Sequence, residues 1–383
     1  MTRRGLLVGC AAALVRRAWG GERVRVIPVP AGGLQPQAVV DERGGLHLIY
    51  FSGDPKGGDV WYQSAESVRP VRANSQRGSA IAVGTIRGAQ LALGKNGRVH
   101  VAWNGSGAAQ PPGPVNPDSG KPGQPMLYAR MNDDGTGFEP QRNLMLHSFG
   151  LDGGGSVAAD SAGGVYVAWH GIGESEAAGK RGEARRAVWI TQSQNDGRTF
   201  ARETKAWTQA TGACGCCGMK IFADGAGNVS VLYRSATEGV HRDIYLLSSS
   251  DRGRTFTGRL MGEWDINACP MSSMDIASNG RERVGTWENG GQVYWARLEG
   301  GTPLAAPGEG KGRKHPRIAI DGRGEVMLVW TEGTGWQKGG RLACQRYDRE
   351  GRANGDIRDA GEIPAWSFGA AVALPGGEFA VVR

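Results

Sequence analysis

One unit recurs along this chain: a short apolar strand, a turn carrying Gly or Asp, and a second strand ending in an aromatic residue. It reads AVVDERGGLHLIY up to Tyr50, LALGKNGRVHVAW up to Trp103, VAADSAGGVYVAW up to Trp169 and IFADGAGNVSVLY up to Tyr233. DIASNGRERVGTW follows up to Trp287, IAIDGRGEVMLVW up to Trp330, and AVALPGGEFAVVR closes on Arg383. These anchors lie 53, 66, 64, 54, 43 and 53 residues apart, the length of one propeller blade with variable loops. A repeat at that period overrules the two or three domains that 383 residues would suggest by length alone. The 64 glycines and the near absence of long 3.6-residue periodicity agree with an all-β, turn-rich chain.

A third strand follows each of the first six units: VWYQS from Val60, MLYAR from Met126, AVWITQS from Ala187, IYLLSS from Ile244, VYWAR from Val293 and LACQRY from Leu342. The seventh unit stops after two strands, and residues 23–30, RVRVIPVP, form a spare strand that can close the ring. After two of the third strands, Ser193, Asn195, Gly197, Thr199 and Phe200, then Ser249, Asp251, Gly253, Thr255 and Phe256, stand in the order S-x-D-x-G-x-T-F, with Asn for Asp in the first. A worn copy runs through Asp133, Gly135 and Phe138. In such a turn Ser and Asp side chains bind backbone amides and Gly takes a positive φ, so no ligand is needed to explain it.

These turns resemble the Asp-box, or bacterial neuraminidase repeat, of the sialidase superfamily. The expectation is a single β-propeller of four-stranded antiparallel blades over residues 21–383. Counting units gives seven blades; the resemblance implies six.

The first twenty residues read differently. Thr2, Arg3, Arg4, Leu6 and Leu7 resemble a twin-arginine signal, and the apolar core over 5–15 is too short to span a bilayer but right for export. A cut after Gly20 predicts an exported protein, periplasmic or extracellular, with no transmembrane segment; a lipoprotein box at Cys10 ranks second. Removing residues 1–20 takes four arginines from the formal charge of +8, leaving 41 basic against 37 acidic residues. With no clustered basic stripe or RNA-binding aromatic motif, nucleic acid is excluded as a partner. No glycine-rich strand-to-helix motif supports nucleotide binding, and no cysteine or serine has a readable triad.

In a propeller, the loops from second to third strand and from fourth strand to the next blade share one face, opposite the S-x-D-x-G turns. That face collects the unusual residues: His147, Asp152, His170, Glu174, the run Cys214, Cys216, Cys217 with Met219, then Arg234, Glu238, His241, Arg242 and Asp243. Asp265, Cys269, Met271, Glu288, His315 and Arg317 complete it. Cys214, Cys216, Cys217 and Cys269 sit in corresponding loops of neighbouring blades. The plainer reading is two disulfides with three possible pairings; the sharper one is a soft-metal site for copper or zinc with Met219 or Met271. Cys344, within a strand, reads as a buried small residue.

The sialidase resemblance implies a glycan or glycoconjugate held by three arginines, and cleavage by a tyrosine paired with a glutamate and aided by an aspartic acid. Arg234, Arg242 and Arg317 would form the clamp, with Asp243 and His170 beside the substrate. Asp152 would be the acid/base, and Glu238 or Glu288 would support the nucleophile. No cofactor is implied. The Arg-Ile-Pro signature is absent: Arg25-Val26-Ile27-Pro28 has one residue too many, and Arg317-Ile318-Ala319 lacks the proline. The segments TGACGCCGMK, HRDIYLLSSSDRGRTF and ACPMSS further resemble a group of exported sialidase-like bacterial proteins over about residues 210–280. Two functions follow: a sialidase-type propeller acting on or binding a glycan, and a non-catalytic extracytoplasmic propeller whose cysteine face binds a metal or a protein partner.

Overall fold

The computed structural model describes residues 24–84, 86–173 and 182–383. The segment read as an export signal, Cys10 included, lies outside the described residues, as does Glu174. Among the described residues, helical segments are single 3-10 turns, and no helix is long and apolar enough to cross a membrane.

Six four-stranded antiparallel sheets follow one another over residues 34–72, 90–143, 156–205, 220–262, 275–305 and 313–363. In each, the strands pair in chain order. The seventh sheet has three strands: Ala370–Leu374, Glu378–Val382 and Val24–Ile27. The ring therefore has seven blades, as the unit count predicts, and not the six implied by the resemblance. The first strands of all seven blades line a central cavity of about 370 Å³.

The seventh blade departs from the expected pattern. Val24–Ile27 does pair there, but parallel, with Val24 opposite Phe379 and Ile27 opposite Val382. The reason is topological. This strand leads into the first strand of blade one, so it must run in the direction of a fourth strand, which is parallel to the second. With no third strand between them, it docks directly on the second. The Arg383 N–H to Ile27 carbonyl bond (2.9 Å) and the Val29 N–H to Arg383 carbonyl bond (2.6 Å) complete the closure, leaving Glu378–Val382 with no open edge.

One register runs through the ring. The residues before the terminal aromatics Tyr50, Trp103, Trp169, Tyr233, Trp287 and Trp330 pair with Gln37, Gln90, Ser156, Lys220, Asp275 and Arg317 of the innermost strands. All six aromatics are buried, so they wedge adjacent blades apart at fixed spacing. The six inner residues make a polar ring at one level of the channel. Three of them bind the next blade's backbone: Gln37 Oε1 accepts from Leu91 N–H, Ser156 Oγ from Ile221 N–H (3.2 Å), and Asp275 Oδ2 from Ile318 N–H (3.3 Å).

The opposite face carries the S-x-D-x-G turns. Ser249 Oγ accepts from Gly253 N–H (2.9 Å), and Asp251 Oδ1 from Thr255 N–H (2.9 Å). Ser193 Oγ accepts from Gly197 N–H (3.0 Å), and Asn195 Oδ1 from Thr199 N–H (2.9 Å). Phe200 and Phe256 pack against the clusters beneath. In the worn copy Asn132 and Asp134 bind the turn amides, while Asp133 pairs with Arg98, Arg130 and Arg198. Beside it, Asp196 receives Arg98 and Arg130 at 3.0 Å each, with His100 at 3.3 Å.

Candidate functional site

The loop entering blade four and the loop entering blade five meet, as their corresponding positions predict. A disulfide joins Cys216 to Cys269, with Cα atoms 6.3 Å apart. The second disulfide is not formed: Cys214 and Cys217 are free and buried. The backbone explains their proximity. Cys217 N–H bonds to the Cys214 carbonyl (3.2 Å) in a tight turn, which brings the two sulfurs to 3.5 Å, with Cys214 Sγ also 3.4 Å from Cys216 Sγ. Cys214, Cys216 and Cys217 form the metal-ligand-like cluster of the described residues, and Met271 packs against it.

The surrounding loops hold this turn rigidly. Glu183 Oε2 accepts from Gly215 N–H, and Cys214 N–H bonds to the Arg234 carbonyl (2.9 Å). Gly218 N–H reaches the Ser272 carbonyl of the next loop (3.0 Å). His170, next to last in the second strand of blade three, donates from Nε2 to the Cys217 carbonyl (3.1 Å). Burial and the Arg186 charge push its imidazole down to about 4, so it is neutral near pH 7.

The charges of two buried arginines act on these sulfurs. Arg234 ends the second strand of blade four, lies over Trp264 at 5.0 Å, and donates to the Arg242 carbonyl (2.8 Å), Asn289 Oδ1 (2.9 Å) and the Glu288 carbonyl. Its guanidinium is 3.5 Å from the Glu288 carboxylate. Arg242 is 6% exposed, and its Nε and Nη1 have no hydrogen-bond partner. Burial alone would raise the Cys217 thiol, but the Cys214 S–H bonded to it and the Arg234 charge bring it down to about 7. Its partner Cys214 is pushed up, first by that shared hydrogen bond and then by burial. A paired thiol and thiolate beside cations is the setting for a nucleophile or a soft-metal ligand.

Of the other sequence-selected residues, Glu288 adjoins this centre through Arg234, and the rest serve separate contacts. Arg317 belongs to the polar ring, bonds to Ser273 Oγ (2.9 Å) and stacks on Phe368 at 4.1 Å. Asp152 is tied to Arg87, and Glu238 is an exposed turn residue 3.9 Å from His241. Glu288 is buried, accepts from Gly291 N–H (2.7 Å), and has its carboxyl raised by burial against the pull of Arg234. Asp243 does not pair with Arg234; its Oδ1 accepts from Trp264 N–H (3.0 Å). His315 is buried and uncharged beside Arg317. Cys344 is buried within its strand. The sequence reading missed Trp264, Ser272, Lys220 and Asp275, whose only signal was adjacency to the cysteine loops or a register visible once the blades are aligned.

No family model matches the chain, and no curated protein matches it. Solved structures do. A Hadza microbial sialidase, Hz136, aligns at a TM-score of 0.51 and 12% identity over 83% of this chain and 70% of its own. The NanB sialidase of Streptococcus pneumoniae aligns at 0.51 and 11% identity over 88% and 80%. A Dyadobacter fermentans protein of unknown function aligns at 0.50 and 12% over 79% and 91%. At these identities the likeness is one of architecture, and the chain is a seven-bladed propeller with a sialidase-like, glycoside-hydrolase-like fold.

Proposed function

We propose that this protein is an exported binding propeller, periplasmic or extracellular, whose ligand site is the sulfur–arginine centre between blades three, four and five. One observation carries this reading: two free thiols lie 3.5 Å apart against the Cys216–Cys269 disulfide, within the field of Arg242, a buried arginine with two unbonded donors. Hydrolysis of the sialidase kind asks instead for a tyrosine paired with a glutamate, and an aspartic acid, around one accessible bond. Here Asp152 is held by Arg87, Glu238 projects to solvent and Glu288 is sealed beneath Arg234. The sialidase clamp is likewise divided, because Arg234 and Arg317 serve separate protein partners.

The second reading, hydrolysis of a sialoside or a related glycan at the channel mouth, draws on the fold and the Asp-box-like turns. The experiment assays fluorogenic sialosides and arabinosides with the wild-type protein and Asp152→Asn, and counts free thiols in the non-reduced, denatured chain. No hydrolysis, together with three free thiols among residues 24–383, is the result expected. Turnover abolished by Asp152→Asn would overturn the binding reading.

A further inference from the structure

We propose that Cys214 and Cys217 hold one cuprous ion as a bis-thiolate, with Met271 as a soft neighbour and Arg242 as its counter-charge. This rests on the binding reading above and names the ligand. Four observations carry it.

The first is the donor set. Metal–thiolate bonds of about 2.3 Å allow one ion to bridge sulfurs up to about 4.6 Å apart, and Cys214 and Cys217 are separated by 3.5 Å. The neighbouring thioether of Met271, packed on the same cluster, is also soft, and such donors select monovalent copper over harder ions.

The second is coordination number. Cys216 is bonded to Cys269, so two thiolates remain of the three clustered cysteines. Structural zinc needs four protein ligands, whereas a d¹⁰ monovalent ion accepts two or three.

The third is charge. Arg234 already faces Glu288 at 3.5 Å, and Lys314 Nζ donates to the Pro270 carbonyl (2.7 Å). Arg242 remains buried with Nε and Nη1 unpartnered, which asks for one negative charge beside it. The metal-bound sulfurs carry no protons, and two thiolates with one monovalent cation sum to a single negative charge. A divalent ion on the same pair would be neutral and would leave Arg242 uncompensated.

The fourth is shielding. Cys214 and Cys217 are each 2% exposed, and Cys214 Sγ lies 3.4 Å from the sulfur of Cys216, whose disulfide partner Cys269 is at the surface. Such cover protects a cuprous thiolate from water and oxidant, and Met271, held at a positive φ of +48°, sits in the same covering loop.

The test is an anaerobic titration of the full-length exported protein, disulfide intact, with cuprous ion against a chromophoric cuprous chelator, and in parallel with zinc. About one equivalent of copper is expected per chain, with an ultraviolet thiolate-to-copper charge-transfer band and no zinc uptake. Cys214→Ser and Cys217→Ser should abolish the band and Cys344→Ser should keep it. Arg242→Gln should weaken copper about 10–100-fold, as loss of an outer-shell partner does. The wild-type titration does not depend on any variant folding. Absence of copper uptake, or a band that survives both serine variants, would overturn the proposal. Zinc bound in preference at the same thiols would overturn the cuprous assignment while leaving the binding reading standing, whereas turnover of a glycoside would strike that reading without altering copper stoichiometry.

Discussion

Arg234 of blade four faces Glu288 of blade five at 3.5 Å with both side chains buried, and the same guanidinium also holds the Glu288 carbonyl. Burial makes this pair asymmetric. Arg234→Met leaves a buried carboxylate without its cation and frees two carbonyls, a change expected to cost about 3–5 kcal/mol. Glu288→Gln keeps the carbonyl bonds and removes a carboxyl that burial already disfavours, so it should be much milder. Urea denaturation of the two variants would read the difference, and equal losses would contradict this account.

Gly197 and Gly135 both sit at φ +73°, but in different surroundings. A Cβ on Gly197 would lie 1.9 Å from the hydroxyl of buried Tyr128, while one on Gly135 meets nothing within 4 Å. Gly135→Ala should therefore cost only the left-handed backbone term, roughly 1–2 kcal/mol. Gly197→Ala adds a clash with an immobile ring and should cost distinctly more. Thermal midpoints of the pair isolate the contribution of Tyr128.

Asp196 supplies the clearest pH dependence. Burial alone would raise its carboxyl, but the His100 ring 3.3 Å away and the hydrogen bond from Arg130 hold it well below the usual carboxylate range. Because its folded value is depressed, the folded chain binds fewer protons here than the unfolded one. The stabilisation is complete above the unfolded value of about 3.9 and is lost as pH falls through the folded value. Asp196→Asn should lower stability at neutral pH and flatten the acid limb of the stability curve. An unchanged acid limb would show that other carboxylates govern it.

Ring closure rests on four residues. Deleting residues 24–27 exposes the edge of Glu378–Val382 and breaks the bond from Arg383 N–H to the Ile27 carbonyl. The deletion should lower the thermal midpoint and speed amide exchange first in blade seven. Uniform loss of protection across all blades would instead mean that the ring unfolds as one unit from any break.

How much of this was written in the chain differs from residue to residue. Tyr50, Trp103, Trp169, Tyr233, Trp287 and Trp330 mark the blades because each blade repeats the same local hairpin, and period-two alternation encodes a hairpin within a few neighbours. The turns at Ser193 and Ser249 were legible for the same reason, their hydrogen bonds spanning at most four residues. The meeting of the Cys214 and Cys269 loops also followed from the repeat, since equivalent loops of adjacent blades share a face.

The tertiary structure alone decided what the repeat does not encode. The parallel closure at Val24 depends on which strand is missing from blade seven, a fact about the whole ring. The choice of Cys216 over Cys214 or Cys217 as partner to Cys269 depends on the turn that brings the other two sulfurs together. The bonds from Gln37, Ser156 and Asp275 to the next blade's backbone, and the pairing of Arg234 with Glu288, arise from side chains reaching across blade boundaries. Hairpins are local and leave their signature in sequence; contacts between blades join residues some fifty positions apart, and only the curvature of the closed ring selects them.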